Sequence, residues 1–366
     1  MPGQIVLFGA TGYTGRLTAA ALVARGERPV LAARNSHEVK AMARKLGRLD
    51  SAVADVSRPE TVRELVERGD VLISTVGPFV RWGGPAVRAA IAAGAHYLDS
   101  TGEGTFIREV FERHDDAARA AGCGLITAFG YDWVPGNLAG GLALREAGEA
   151  ARRLDIGYYM TGSGAGGMSG GTRASTAGMM LEPAYTFRAG RVVTERGASR
   201  LRSFPVRGRE RPAVSVGSSE HFALPRLADG LRDVDVYLGW FGSMSRALQG
   251  VSAATSLVTR VPGARSALEG TLTRLVKGSS GGPDAAQRAQ SGSHVVAIAS
   301  DADGQALAEV HLEGPNGYTF TADILAWGAA TAAREGLRAT GALGPVDGFG
   351  LDQLRGGCAE AGLTRV

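Results

Sequence analysis

Three glycines at fixed spacing, Gly9-Ala-Thr-Gly12-Tyr-Thr-Gly15, follow the apolar run Ile5–Phe8 and open a helical pattern. A dinucleotide pyrophosphate needs this strand–turn–helix context. The first glycine permits the sharp turn, Gly12 lets the backbone approach phosphate at the positive helix end, and Gly15 lets helix and strand pack closely. Thr11, Tyr13 and Thr14 complete the turn and join the expected cofactor residues. The end of the second expected strand reads Ala33-Arg34-Asn35, where a reader of a ribose 2′-hydroxyl would carry Asp or Glu. A guanidinium there suits a 2′-phosphate through charge and a bidentate fork, so NADP(H) is the expected cofactor. Asp55-Val56 end the third expected strand, near the adenine. Val76-Gly77-Pro78-Phe79 end the fourth, near the nicotinamide ribose. Both placements follow because ligands of such sheets lie beyond the carboxyl ends of the strands.

Hydride transfer asks little of a protein beyond positioning and a proton source. Tyr97, Glu103 and Asp132 are the candidate catalytic residues, with Asp99 and His96 close by. A strand tyrosine also packs in cores, and Ser100-x-x-Glu103 also reads as a capping box. Asp132 fits a proton relay or a turn equally well. Trp133, Thr172 and Arg173 are candidate substrate contacts, Arg173 through an anionic group. None of the eight tyrosines has lysine four residues on, which excludes the Tyr-x-x-x-Lys mechanism of short-chain dehydrogenases. No His-Glu-x-x-His, Cys-x-x-Cys or Gly-x-Ser-x-Gly occurs, so neither metal-dependent nor serine hydrolysis is supported, and no metal is expected.

Strand and helix alternate through the first third. Strands are expected at 5–8, 30–33, 52–54, 71–75, 96–98 and 124–127, with helices at 14–25, 36–46, 59–67, 85–93 and 103–120 between them. Such alternation implies right-handed crossovers and a Rossmann-type, doubly wound parallel sheet. Beyond residue 136 the pattern becomes α+β with an open mixed sheet, including a hairpin around Asp301-Ala-Asp-Gly304. The expected domains are 1–135 for NADP binding, 136–315 for substrate and dimerisation, and 316–366 as a closing helix and tail packed back on the first.

Of 366 residues, 44% are hydrophobic and 21% charged, a globular balance. Cys123 and Cys358 form no disulfide framework, which suits a reducing cytoplasm, and no secretory leader is expected. No apolar run reaches the ~20 residues that span a bilayer. The longest, 324–333, reads as a buried helix. A net charge of +4 suits anionic small molecules as well as polymers, and no nucleic-acid motif accompanies it. Arg196, Arg200, Arg202, Arg207, Arg209 and Arg211 could dock an acidic carrier protein or a phosphopantetheine arm, or form a solvated strand edge.

Four motifs occur in order: Gly9–Gly15, Gly77-Pro-Phe79, His96-Tyr-Leu-Asp-Ser-Thr-Gly-Glu103 and Gly130-Tyr-Asp-Trp-Val-Pro135. In these the chain resembles the saccharopine dehydrogenase-like oxidoreductases, and most nearly their trans-acting enoyl reductase branch. Trp133 departs from the resemblance, which expects a small residue there. The resemblance implies an NADP-binding first domain and a second domain that covers the nicotinamide and supports a homodimer. It also implies hydride transfer to an activated C=C bond of a lipid, polyketide or other secondary-metabolite substrate, with C=N reduction as the alternative. A non-enzymatic NADP(H)-sensing regulator is the reading from another class.

Overall fold

The computed structural model describes residues 3–162, 183–240, 249 and 281–366. The chain divides into two compact units. One comprises residues 1–102, 106–134 and 317–363, the other 103–105, 135–316 and 364–366. Thr172 and Arg173 lie outside the described residues.

The first unit is built on a seven-stranded parallel sheet. Its strands are β1 (Ile5–Phe8), β2 (Val30–Ala33), β3 (Ser51–Val53), β4 (Val71–Ser74), β5 (His96–Asp99), β6 (Gly124–Ile126) and β15 (Gly341–Ala342), in the spatial order β15-β6-β5-β4-β1-β2-β3. β1 and β4 are buried along their whole length, as strands covered on both faces must be. Helices α1 (Tyr13–Ala24), α2 (Ser36–Lys45), α3 (Pro59–Arg63) and α5 (Gly84–Ala93) supply crossovers, and a four-residue α4 (Phe79–Trp82) precedes α5. The expected helix at 103–120 is broken: α6 (Gly104–Glu109) and α7 (Asp115–Ala121) are joined by a π-helical turn at Val110–His114. Glu103 therefore precedes α6 rather than lying three residues inside a helix.

The helix Gly317–Glu335 returns to this unit and packs against α1, β1, β4 and β5. Residues 324–333 are buried on every side, which its small residues allow. A Cβ on Gly328 would collide with the Phe129 ring. Trp327 and Phe129 both meet Phe349, with ring centroids 4.8 and 5.3 Å apart. After this helix the chain adds β15 parallel to β6 at the sheet edge.

The second unit carries a nine-stranded mixed sheet. Its main path runs β10 (Leu201–Val206), β11 (Arg209–Val216), β12 (Asp233–Leu238), β7 (Arg153–Gly162), β13 (Ser291–Ser300), β14 (Ala306–Pro315) and β16 (Thr364–Arg365), with β8 (Pro183–Arg188) and β9 (Arg191–Arg196) to one side. Only the β7–β12 neighbours on the main path are parallel. The hairpin read at Asp301–Gly304 joins β13 to β14. The Asp301 carboxylate accepts from the amides of Asp303 and Gln305, and Gly304 takes φ +84°.

Three of the six clustered arginines, Arg200, Arg202 and Arg207, pair with carboxylates of this chain. Asp155 and Asp235 face each other across β7 and β12, both fully buried. Arg153 bonds both carboxylates, Arg188 and Arg200 bond Asp235, and Arg202 pairs with Asp155. Arg207 makes a bidentate pair with Glu313, at 2.6 and 2.7 Å. Two buried like charges side by side are tolerable only with this cationic surround. The surrounding arginines, with Arg200 first, hold the Asp235 carboxyl below its usual value against the opposing effect of burial. Asp235→Ala leaves three guanidinium groups short of a partner. It should destabilise the protein by about 3 kcal/mol in urea unfolding, the low end for broken buried pairs because the arginines are partly exposed.

Candidate functional site

The β1–α1 turn forms the floor of a cavity of about 740 Å³ in the first unit. Gly9 adopts φ +89°, where a side chain would also strike Thr75 and Val76. A Cβ on Gly15 would run into the Gly9 carbonyl oxygen, so helix and turn can meet only through glycine. Gly12 differs: the nearest atom to an added Cβ is 3.3 Å away. That contact, with the Gly9 carbonyl oxygen, is tight rather than clashing, and the missing side chain at Gly12 keeps the cavity open at the N-terminus of α1, which no side chain caps.

Ten of the expected cofactor residues line this cavity: Gly9, Thr11, Gly12, Ala33, Arg34, Asn35, Asp55, Val56, Val76 and Gly77. Arg34 is exposed, and no hydrogen bond or ion pair to it exists among the described residues. Asn35 Oδ1 caps α2, accepting from the amides of His37 and Glu38. Asp55 accepts from the amide and hydroxyl of Ser57, bonds that lower its carboxyl pKa. Tyr13, Thr14, Gly15, Pro78 and Phe79 are not among the lining residues. Tyr13 packs edge-on to Tyr318 at 5.1 Å, and Phe79 lies buried against Phe106. Pro78 is the N-cap residue of α4.

Sequence reasoning missed Glu38, Ser57, Thr75 and Trp82 on the cavity wall. Glu38 lies one helical turn beyond Asn35, whose amide donates to it at 3.0 Å, and Arg16 approaches it at 3.9 Å. The cap followed three residues later by Glu was a usable signal for that placement. Trp82 carried no such signal. It reaches the wall because α4 separates from α5, and the Arg81 guanidinium sits 4.5 Å from its ring centre.

The proton-donor candidates fare differently. Tyr97 is fully buried in β5 and does not line the cavity. Burial, then the nearby Asp99 charge, pushes its hydroxyl well above the ordinary tyrosine range. Glu103 is 7% exposed and groups with the second unit. Trp133, expected at the substrate, is fully buried, with its amide donating to the Ala128 carbonyl. It is among the largest fully buried side chains of the described residues. Asp132 lies against Gly102, and its Oδ1 is buried with no hydrogen-bond partner. Burial pushes its pKa up to about 7.

Asp99, only a neighbour in the sequence reading, anchors the region. Its Oδ1 accepts from the amides of Thr101 (2.9 Å) and Ala128 (2.8 Å), and its Oδ2 from the Thr127 hydroxyl (2.8 Å). Its carbonyl accepts from Phe129 at 2.7 Å. Burial raises its pKa to about 6, while the hydrogen bonds oppose the rise. The loops after β5 and β6 are thus tied through one carboxylate.

A carboxyl near 7 in the native state and about 3.9 when unfolded stabilises the fold in its protonated form. That contribution is complete below about pH 4 and is lost as pH rises through about 7. Melting temperatures of Asp132→Asn should therefore fall less steeply than those of the parent between these limits. Identical slopes would show that Asp132 does not titrate there.

Residues 5–126 match the family model described as saccharopine dehydrogenase NADP binding domain. A Mycobacterium tuberculosis protein named as a trans-acting enoyl reductase is 38% identical over 179 residues, covering 47% of this chain and 43% of its own length. The trans-acting enoyl reductase of Mycobacterium ulcerans is 40% identical over 141 residues, covering 37% of this chain and 34% of its own. The chain thus matches less than half the length of either relative. The saccharopine dehydrogenase (L-Glu forming) of Saccharomyces cerevisiae shares the fold over 100% of this chain and 99% of that one, with TM-score 0.59 at 13% identity. That likeness concerns the fold alone. The similarity to saccharopine dehydrogenase NADP-binding domains thus spans residues 5–126, about a third of the chain.

Proposed function

We propose that this protein is an NADPH-dependent reductase that transfers a hydride to an activated C=C bond of an acyl-type substrate from lipid, polyketide or other secondary metabolism. The observation that carries the reading is Arg34, a guanidinium in no ion pair among the described residues, on the wall of a cavity floored by an open glycine turn. A 2′-phosphate would satisfy the arginine, and a pyrophosphate would fit the uncapped helix terminus. NADPH supplies the hydride when bound. The chain itself must hold the two phosphate regions, orient the substrate and deliver a proton to the carbon that does not receive hydride.

Asp132 is our candidate for that proton. A carboxyl with a pKa of about 7 keeps a proton available near neutrality, and its Oδ1 has no competing partner. Asp99 is a positioning residue in this reading, because it ties the ends of β5 and β6 beside Asp132. Tyr97 and Glu103 are secondary candidates, and Thr172 and Arg173 candidate substrate contacts. The enoyl preference comes from the names of the mycobacterial relatives. Their description as trans-acting favours a substrate presented by another protein, for which an acidic carrier is the matching chemistry. Two buried, unpaired cysteines suit a cytoplasmic setting, and a homodimer completes the reading. Among the described residues no helix is long and apolar enough to cross a membrane.

Arg34→Asp should weaken NADPH binding by about a hundredfold, the scale of a lost charge-assisted contact to phosphate, and leave NADH nearly unchanged. Equal loss for both cofactors would sink the 2′-phosphate assignment.

NADPH oxidation against α,β-unsaturated acyl thioesters, and separately against imines of keto acids, tests the reaction. Turnover on the thioesters is expected. Turnover on imines alone would assign C=N reduction instead, and NADPH binding without turnover on either panel would favour a sensing role. In an active enzyme, Asp132→Asn should lower kcat by about a hundredfold or more and remove the loss of rate above pH 7.

A further inference from the structure

A second cavity, of about 570 Å³, lies in the second unit, between the end of β7 (Met160, Thr161, Gly162) and the β10–β11 hairpin (Val206, Arg207, Arg209, Arg211). Three of its lining side chains are guanidinium groups, and no acidic residue lines it among the described residues. Its charge balance differs from that of the rest of the sheet face. Arg153, Arg188, Arg200 and Arg202 are neutralised by Asp155, Asp235 and Glu195, and Arg207 by Glu313. Arg209 and Arg211 make no ion pair among the described residues.

The strand register places these two arginines together. Arg209 stands opposite Val206 and Arg211 opposite Phe204, so both lie on the same face of the hairpin, two residues apart. Glu210, between them, lies on the other face. Arg211 is already held: one terminal nitrogen donates to the Met160 carbonyl at 3.1 Å, and its guanidinium lies 5.1 Å from the Tyr159 ring centre. Tyr159 is itself fixed by its hydroxyl, which donates to the Arg211 carbonyl at 2.8 Å. A cation fixed by a ring and a carbonyl, with no carboxylate, keeps its full charge for an incoming anion. Arg209 is exposed and adds a second uncompensated charge.

We propose that this cavity is a binding site for a phosphate-bearing small molecule, held by Arg209 and Arg211, with Arg207 recruited from Glu313. Two neighbouring guanidinium forks match the oxygen spacing and charge of phosphate better than those of a monovalent anion. The Arg207–Glu313 pair is more than half exposed on the arginine side, so moving that arginine costs little. The site is built from the second unit alone and does not rest on the proposed reductase activity.

The test is calorimetric titration of inorganic pyrophosphate into the full chain with NADPH held at saturation, so that the dinucleotide cavity cannot account for the signal. The double variant Arg209→Gln, Arg211→Gln should raise the pyrophosphate Kd about tenfold or more while NADPH binding stays intact, which also reports a folded chain. Glu313→Gln should lower the Kd several-fold by releasing Arg207, a gain that a misfolded variant cannot give. Absence of pyrophosphate binding to the intact chain overturns the proposal. So does an unchanged Kd in the double variant, or chloride at equal ionic strength displacing pyrophosphate as well as sulfate does.

Discussion

One buried carboxylate holds together the part of the first unit where chemistry is expected. Asp99 ends β5, and the strands on either side deliver their loops to the same edge of the sheet. Loops that leave a parallel sheet have amides with no ladder partner. Buried amides of that kind must find acceptors. Asp99 satisfies Thr101 and Ala128 with one oxygen and Thr127 with the other, and its carbonyl takes Phe129. Its burial raises the carboxyl toward neutrality, and the three donors work against that. The turn that carries Asp132 therefore follows a loop whose path is set by hydrogen bonds rather than by apolar packing alone.

The second unit solves a harder electrostatic problem by a different route. Placing Asp155 beside Asp235 on parallel neighbours brings two buried anions into register, an arrangement that would repel without cations. Four arginines from β7, β8, the β9–β10 connection and β10 converge on them. The same face continues as an apolar patch of Tyr159, Phe204 and Tyr237 and ends at the hairpin that bears Arg209 and Arg211. Charge is thus neutralised at one end of the face and left uncompensated at the other.

The glycine turn and the arginine after β2 were legible because their requirements are local. A positive φ at Gly9 and a helix pressed against a carbonyl at Gly15 exclude side chains whatever the rest of the chain does. The six leading strands were legible for a similar reason: short apolar runs between helical patterns leave few topologies. The seventh strand was not, because β15 has only Gly341 and Ala342, and its pairing with β6 supplies what its composition lacks. The π-helical turn at Val110–His114 was equally hidden, since it interrupts a helix without a glycine or proline to mark it.

By itself, the sequence determined the parallel α/β unit and the glycine turn between β1 and α1, both consequences of backbone sterics and short-range pattern. Only the tertiary structure decided which polar side chains have work left to do. Trp133 and Tyr97 are fully buried, a placement their motifs alone do not give. Arg200 and Arg202 look like a basic patch until Asp235 and Asp155, distant in sequence, neutralise them. Trp82 reaches the cavity wall from the short α4, a helix that no linear pattern separated from α5. Availability depends on burial and on partners brought from far along the chain, and these exist only once the chain has folded.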